Sequence, residues 1–243
     1  MRADPVDQAR RIAAGRFPHA LAAVLAGSTA AGRATAASDL DIAVLLPEPE
    51  RTRRETIRFE GRLVELFVHT ANGLDEVFAA DARSRRGIMQ FMYATGIVLV
   101  DVDGHAARVR DLAEAQLRQG PPPLGAKAVE TGRYLLTDAL DDLGTVTDPA
   151  ERLATAWTVL AKTADLLFDH HRAWTGGGKW LPRRLLEADA ERGSHLLDSY
   201  RQTCETGAPN RLVDAATEVL DLVGGPLQEG YRRDWPPTAE RSS

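Results

Sequence analysis

Residues Leu21 to Leu46 read LAAVLAGSTAAGRATAASDLDIAVLL, and the way this stretch passes from apolar to polar and back decides the fold around it. The run Leu21-Ala22-Ala23-Val24-Leu25-Ala26 is short, continuous and apolar, as a buried strand is, and it stops at Gly27-Ser28. A second strand-like run, Asp39 to Leu46, begins after a small polar turn. Successive strand side chains point to opposite faces, so Asp39 and Asp41 share one face while Leu40, Ile42 and Val44 take the other. Two carboxylates held that close repel unless a cation lies between them. Oxygen ligands of this kind suit Mg2+ or Mn2+. An Asp-x-Asp pair at a strand entrance also occurs in ordinary turns, where it accepts hydrogen bonds from loop amides. The full combination of strand, Gly-Ser, ten residues, Asp-x-Asp and strand favours the metal.

Working outward, residues 3 to 15 have helical spacing through Ala9, Ile12 and Ala13, and Pro18 ends that segment before the first strand. Downstream, the run from Glu55 to Val68 reads as two alternating strands joined by a two-residue turn at Glu60-Gly61. Glu65 is then an acid in the middle of an apolar strand, where burial without a partner is costly. Glu60 is the rival acid, but its place at the turn is that of a solvated residue. His69 shares the face of Glu65 by parity and reads as structural. From Ala71 to Tyr93 the pattern turns helical, with Leu74, Val77, Phe78, Ile88, Phe91 and Met92 in a stripe. Arg83, Arg85 and Arg86 between these helices read as a solvated loop. A strand, Ile97 to Asp101, and a helix to about Gln119 complete the N-terminal lobe.

The run Gly120-Pro121-Pro122-Pro123-Leu124-Gly125 breaks the chain, because consecutive prolines cannot continue a helix and act as a semi-rigid spacer. Four segments are expected: a catalytic lobe over 1–120, a linker over 121–125, a helical bundle over 126–235 and a flexible tail over 236–243. In the bundle, Val129, Leu136, Leu140 and Leu143 make one stripe, and Leu153, Trp157, Leu160, Ala164, Leu167 and His171 another. Leu186, Leu196, Leu197, Leu212, Val219, Leu220 and Val223 continue the pattern. The fold class is α+β, a lobe with a short mixed sheet, followed by an all-α bundle. On the first bundle helix Glu130, Tyr134 and Asp138 recur at four-residue spacing opposite the apolar stripe. Such a face is ordinarily solvated; the functional alternative has Glu130 accepting a proton from an acceptor hydroxyl. Thr175-Gly176-Gly177-Gly178-Lys179 is a glycine-rich loop that lacks the order and spacing of a P-loop.

The chain has 243 residues, a net charge of -5 and a single cysteine, Cys204. The residues before Ala126 balance, so the whole acidic excess falls on the bundle half. A nucleic-acid-binding surface would ordinarily show a basic excess, so no nucleic-acid partner is expected. An acidic half favours a cationic small molecule. One cysteine forms no internal disulfide, no apolar signal core stands at the N-terminus and no run reaches a membrane span; a cytoplasmic protein without a membrane partner is the expectation.

Gly27-Ser28, the ten-residue spacer and Asp39-Leu40-Asp41 resemble the signature of the DNA polymerase β-type nucleotidyltransferase superfamily. The resemblance implies that the Gly27-Ser28 turn and the helix after it hold a nucleotide triphosphate, while Asp39 and Asp41 bind two Mg2+ ions. A glycine's close backbone approach and a helix N-terminus both suit phosphate. In that superfamily a third carboxylate arrives on a neighbouring strand, and Glu65 is similar in position; its implied role is metal ligand or general base. The loop at Lys179 more loosely resembles one in antibiotic nucleotidyltransferases, where a lysine reaches the phosphates. The size and arrangement resemble aminoglycoside-type enzymes, implying AMP transfer from ATP to a hydroxyl of a cationic antibiotic. The alternative implied function is a regulatory enzyme that adenylylates or binds a protein partner, as an antitoxin does. A fused HEPN-type RNase is not expected, since none of His170, His171 and His195 has an Arg four to six residues before it.

Overall fold

The computed structural model describes residues 4–35 and 38–234; the predicted tail at 236–243 lies outside them. The chain divides into two compact units between Pro122 and Pro123, within the proline run.

The first unit is built on a five-stranded mixed sheet. In chain order its elements are α1 (Pro5–Arg16), β1 (Ala22–Ala26), a single helical turn α2 (Gly27–Ala30), β2 (Leu40–Leu45), β3 (Arg53–Phe59), β4 (Arg62–His69), α3 (Ala71–Arg83), α4 (Ile88–Thr95), β5 (Ile97–Asp101) and α5 (His105–Gln119). The strand order is β3-β4-β2-β1-β5. The β2–β4 pair is parallel and the other three are antiparallel. Hairpin β3–β4 closes through Glu60 and Gly61, both at positive φ (48° and 81°), the combination a two-residue hairpin turn demands. Helix α1 starts where the Asp4 carboxylate accepts hydrogen bonds from the amides of Val6 and Asp7, with Pro5 in its first turn.

Strand alternation sorts the core into two layers. Ala23, Leu25, Leu40, Ile42, Val44, Val64, Leu66 and Val68 pack against Ala9, Ile12 and Ala13 of α1. On the opposite face Ala22, Val24, Ala26, Ala43 and Leu45 meet Leu74 and Phe78 of α3, Met89, Met92 and Tyr93 of α4, and Ala106 and Ala113 of α5. Strand β2 therefore has a buried apolar layer on each face, which favours its place in the middle of the sheet.

Arg85 departs from its expected solvated place. It is 7% exposed, sits at φ 61° and donates a hydrogen bond to the carbonyl of Pro122. The left-handed backbone turns the chain sharply between α3 and α4 and carries the side chain inward, which composition alone does not reveal. Ile88, by contrast, is the first residue of α4 and is exposed.

The second unit is all helical: α6 (Ala126–Thr145), α7 (Pro149–His170), a 3-10 turn (Gly178–Trp180), α8 (Leu181–Ala188), α9 (Ala190–Thr206) and α10 (Asn210–Leu222). Leu136, Leu143, Leu160, Ala164, Leu167, Leu196, Leu212, Val219 and Leu220 share one core. Leu153 and Trp157, expected in the stripe of α7, are 45% and 44% exposed. Leu160, Ala164 and Leu167 of that stripe are buried as expected, and the helix also buries Ala156, Val159, Thr163, Leu166 and Phe168, so its covered face is wider than the stripe and shorter at the N-terminal end. Trp157 lies edge-on to Tyr200 at 6.2 Å, His171 pairs with Asp189 at 3.1 Å, and Leu186 is also exposed. No helix among the described residues is long and apolar enough to cross a membrane.

Candidate functional site

The site is assembled by three strands and one turn. Strand β2 runs antiparallel to β1, which sets Asp41 opposite Ala26, the residue before Gly27. It also runs parallel to β4, with Asp41 in register with Glu65 and Leu40 with Val64. Parallel pairing in this register puts the Asp41 and Glu65 side chains on one face as immediate neighbours. Asp39 stands just before β2 and, two residues from Asp41, shares that face. The three residues are half-buried and offer carboxylate oxygens that all lie within 4.8 Å of one another.

Gly27 closes the fourth side. Its φ is +69°, and a Cβ built there would lie 2.0 Å from Asp41 Oδ2. Only a residue without a side chain lets the turn and the carboxylate share this space. Ser28 follows within the one-turn helix, and its carbonyl accepts from the Arg33 amide at 2.9 Å. That element is four residues long.

Three groups outside the motif support the cluster. Arg62 Nη1 donates to the carbonyl of Ser38, the residue before Asp39, at 2.9 Å, and its Nε donates to Gln8 Oε1 at 3.1 Å. Gln8, 3% exposed on α1, in turn donates through Nε2 to the Phe59 carbonyl. The chain entering Asp39 is therefore tied to both α1 and the hairpin. Arg54 Nη2 donates to Glu65 Oε2 at 2.7 Å. Sequence reading assigned none of Gln8, Arg54 and Arg62. The one local signal was Gln8, a polar residue on the apolar face of α1 beside Ala9 and Ile12.

Glu60, the rival acid, is at the hairpin turn and pairs with Arg11 at 2.6 Å. His69 ends β4 and is 4% exposed, and neither ring nitrogen has a hydrogen-bond partner among the described residues. Burial holds its pKa down at about 4, so it is neutral in the folded protein.

Glu130 and Lys179 belong to the second unit. Glu130 lies on α6, ion-paired with Lys127 at 3.4 Å. Tyr134 is not solvated as the spacing suggested: it stacks on Tyr231 with centroids 4.1 Å apart and planes 10° apart. Lys179 is exposed in the 3-10 turn. The structure thus brings together Asp39, Asp41, Glu65 and Gly27, with Ser28 next along the turn.

A set of three carboxylates without nitrogen or sulfur donors is the ligand chemistry of a hard divalent cation. Ligand oxygens around one small divalent ion lie about 3–4 Å apart, inside the 4.8 Å limit that holds for these three carboxylates. The three residues fit such an ion, with Glu65 also paired to Arg54.

Among the comparisons with known proteins, a family model bears on the domain type. The family model described as nucleotidyltransferase domain matches residues 6–74, which contain all of α1 but its first residue, the Gly-Ser turn, β2 and the β3–β4 hairpin. A solved structure similar to this chain is that of a nucleotidyltransferase-like protein from Exiguobacterium sibiricum 255-15. It has 10% sequence identity over 90% of this chain and 74% of that chain, with a TM-score of 0.45. No curated protein matches the chain in sequence.

Proposed function

We propose that the chain transfers a nucleoside monophosphate, AMP from ATP, to a hydroxyl of a small cationic acceptor of the aminoglycoside kind. The observation that carries this reading is the cluster of Asp39, Asp41 and Glu65 on one sheet face against Gly27, within a nucleotidyltransferase-type domain. Asp39, Asp41 and Glu65 would hold two Mg2+ ions, and Gly27 and Ser28 would meet the β- and γ-phosphates. Bound there, the ions supply charge neutralisation for the phosphates and lower the pKa of the attacking hydroxyl. The hydroxyl oxygen forms a bond to the α-phosphorus, the bond to the β-phosphate bridging oxygen breaks, and pyrophosphate leaves. Arg62 and Gln8 keep the Asp39 backbone fixed during this exchange. Glu65 or Glu130 is retained as the acceptor of the hydroxyl proton and Lys179 as a phosphate contact, all argued from the sequence. A cationic acceptor is supported by the acidic excess after Ala126.

The test is incubation of the full chain with Mg2+, each of the four nucleoside triphosphates and a panel of polyhydroxylated amines, read by mass spectrometry. One compound gaining the mass of AMP, with one pyrophosphate released per transfer, is the expected result. Label on a co-purified protein with every small molecule unchanged would replace the acceptor. No pyrophosphate release with any nucleotide, or release undiminished in Asp41→Asn, would overturn the reaction itself.

A further inference from the structure

Glu65 is held from the side opposite the aspartates, and the residue that holds it lies outside every motif discussed above. Strand β3 is the edge of the sheet, and its register sets Arg54 opposite Phe67 and Thr56 opposite Glu65. By alternation Arg54 shares the face of Glu65 and Phe67. Its Nη2 donates to Glu65 Oε2 at 2.7 Å, and its guanidinium lies 4.9 Å from the centroid of the Phe67 ring. Strand β4 runs between β3 and β2, so the Glu65 carboxylate is gripped from the β3 side while facing Asp41 on the other.

That grip has a physical consequence. Three carboxylates within 4.8 Å repel one another, and a glutamate has enough rotamer freedom to swing into solvent. A charge-assisted hydrogen bond from a guanidinium that rests on an aromatic face opposes that swing. We propose that Arg54 is a positioning residue, which keeps Glu65 oriented at the acid cluster so that a divalent ion meets a pre-set third ligand. This rests on the metal-binding reading above. Outer partners of a ligating carboxylate typically carry about 10- to 100-fold in metal affinity. The Arg54 side chain is 61% exposed, so water competes for the bond and an effect of about tenfold is expected. Repulsion between guanidinium and metal ion opposes this effect and is weakened by solvent at so exposed a position. Arg58, on the same face, reaches back to the Gly61 carbonyl at 3.3 Å and stays with the hairpin.

The experiment titrates Mn2+ into the full chain and follows the free aqua ion by electron paramagnetic resonance, for wild type, R54A, R54K and D41N, with thermal unfolding of each. R54A should raise the apparent Mn2+ dissociation constant about tenfold with little change in melting temperature. R54K should recover part of the loss, because an ammonium reaches the carboxylate but lacks the planar fork and the flat face that meets Phe67. R54A binding Mn2+ as tightly as wild type, or more tightly, overturns the proposal. If D41N loses Mn2+ in that case, the metal site stands and only the role of Arg54 falls. If wild type and D41N bind alike, or neither binds, the metal reading fails and the Arg54 proposal falls with it.

Discussion

Gly27→Ala tests the contact on which the site's geometry turns. Two costs follow from the structure. The first is backbone: Gly27 has φ +69°, and an L-residue in that region costs about 1–2 kcal/mol. The second is collision: the new Cβ would stand 2.0 Å from Asp41 Oδ2 and 3.0 Å from its Cγ, so Asp41 has to leave its rotamer, at about 0.5–1.5 kcal/mol. Together they predict a loss of about 1.5–3.5 kcal/mol in unfolding free energy, which a domain of ordinary stability survives. The site does not survive as well. A displaced Asp41 no longer faces Asp39 and Glu65, and a shift of about 1 Å in a positioned group costs on the order of a hundredfold in rate. The assay is urea denaturation together with Mn2+ titration, run in a cycle with Asp41→Ala. With the carboxylate gone, only the backbone cost should remain, so G27A should be cheaper in D41A by about 1 kcal/mol. Equal cost in both backgrounds, with undiminished Mn2+ binding in G27A alone, would refute the reasoning.

Asp41→Asn should leave the melting temperature close to wild type and lower the transfer rate by about a hundredfold or more, since the charge stabilisation supplied by a bound cation is worth several kcal/mol; pyrophosphate release is the measurement. His69 is neutral in the fold, with its pKa lowered by burial from 6.5 to about 4. The unfolded chain therefore takes up a proton that the folded chain refuses. His69 contributes stability that is full above about pH 6.5 and is lost as pH falls to about 4, a change of about 3 kcal/mol. Denaturant midpoints at pH 7.5 and 4.5 should show this slope in wild type and a shallower one in His69→Leu; identical slopes would exclude it. Tyr231→Ala removes the stack on Tyr134 and the bond between its hydroxyl and Thr131 Oγ1 at 3.1 Å, and should destabilise the helical unit by about 1–2 kcal/mol. Faster proteolysis of the segment after α10 is the accompanying readout.

Much of the fold was legible because its signals are local. The Glu60-Gly61 turn was visible as a dipeptide between alternating runs, and it forms with both residues at positive φ. Strand β5 and the helix after it lie where the pattern put them. The failures share a cause as well. Spacing places Leu153 and Trp157 in the core with Leu160, Ala164 and Leu167, yet a helix exposes whatever its neighbours leave uncovered, and near its N-terminal end α7 buries Ala156 and Val159 instead. Arg85 was assigned to solvent by its charge, and a left-handed backbone turn buries it against the Pro122 carbonyl.

The candidate site divides along the same line. The sequence by itself determined that Asp39 and Asp41 share a face and that a glycine stands at the end of the preceding strand, because strand alternation and turn chemistry act between near neighbours. Which acid joins them was decided by strand order. The parallel pairing of β2 with β4 brings Glu65 into register with Asp41, and the edge position of β3 brings Arg54 to Glu65. Tertiary structure also decided why Gly27 has to be glycine. The atom that excludes a side chain there belongs to Asp41, fourteen residues away, and meets the turn only because β1 and β2 pair. Pairing between strands distant in sequence depends on the packing of whole layers, and no local pattern specifies it.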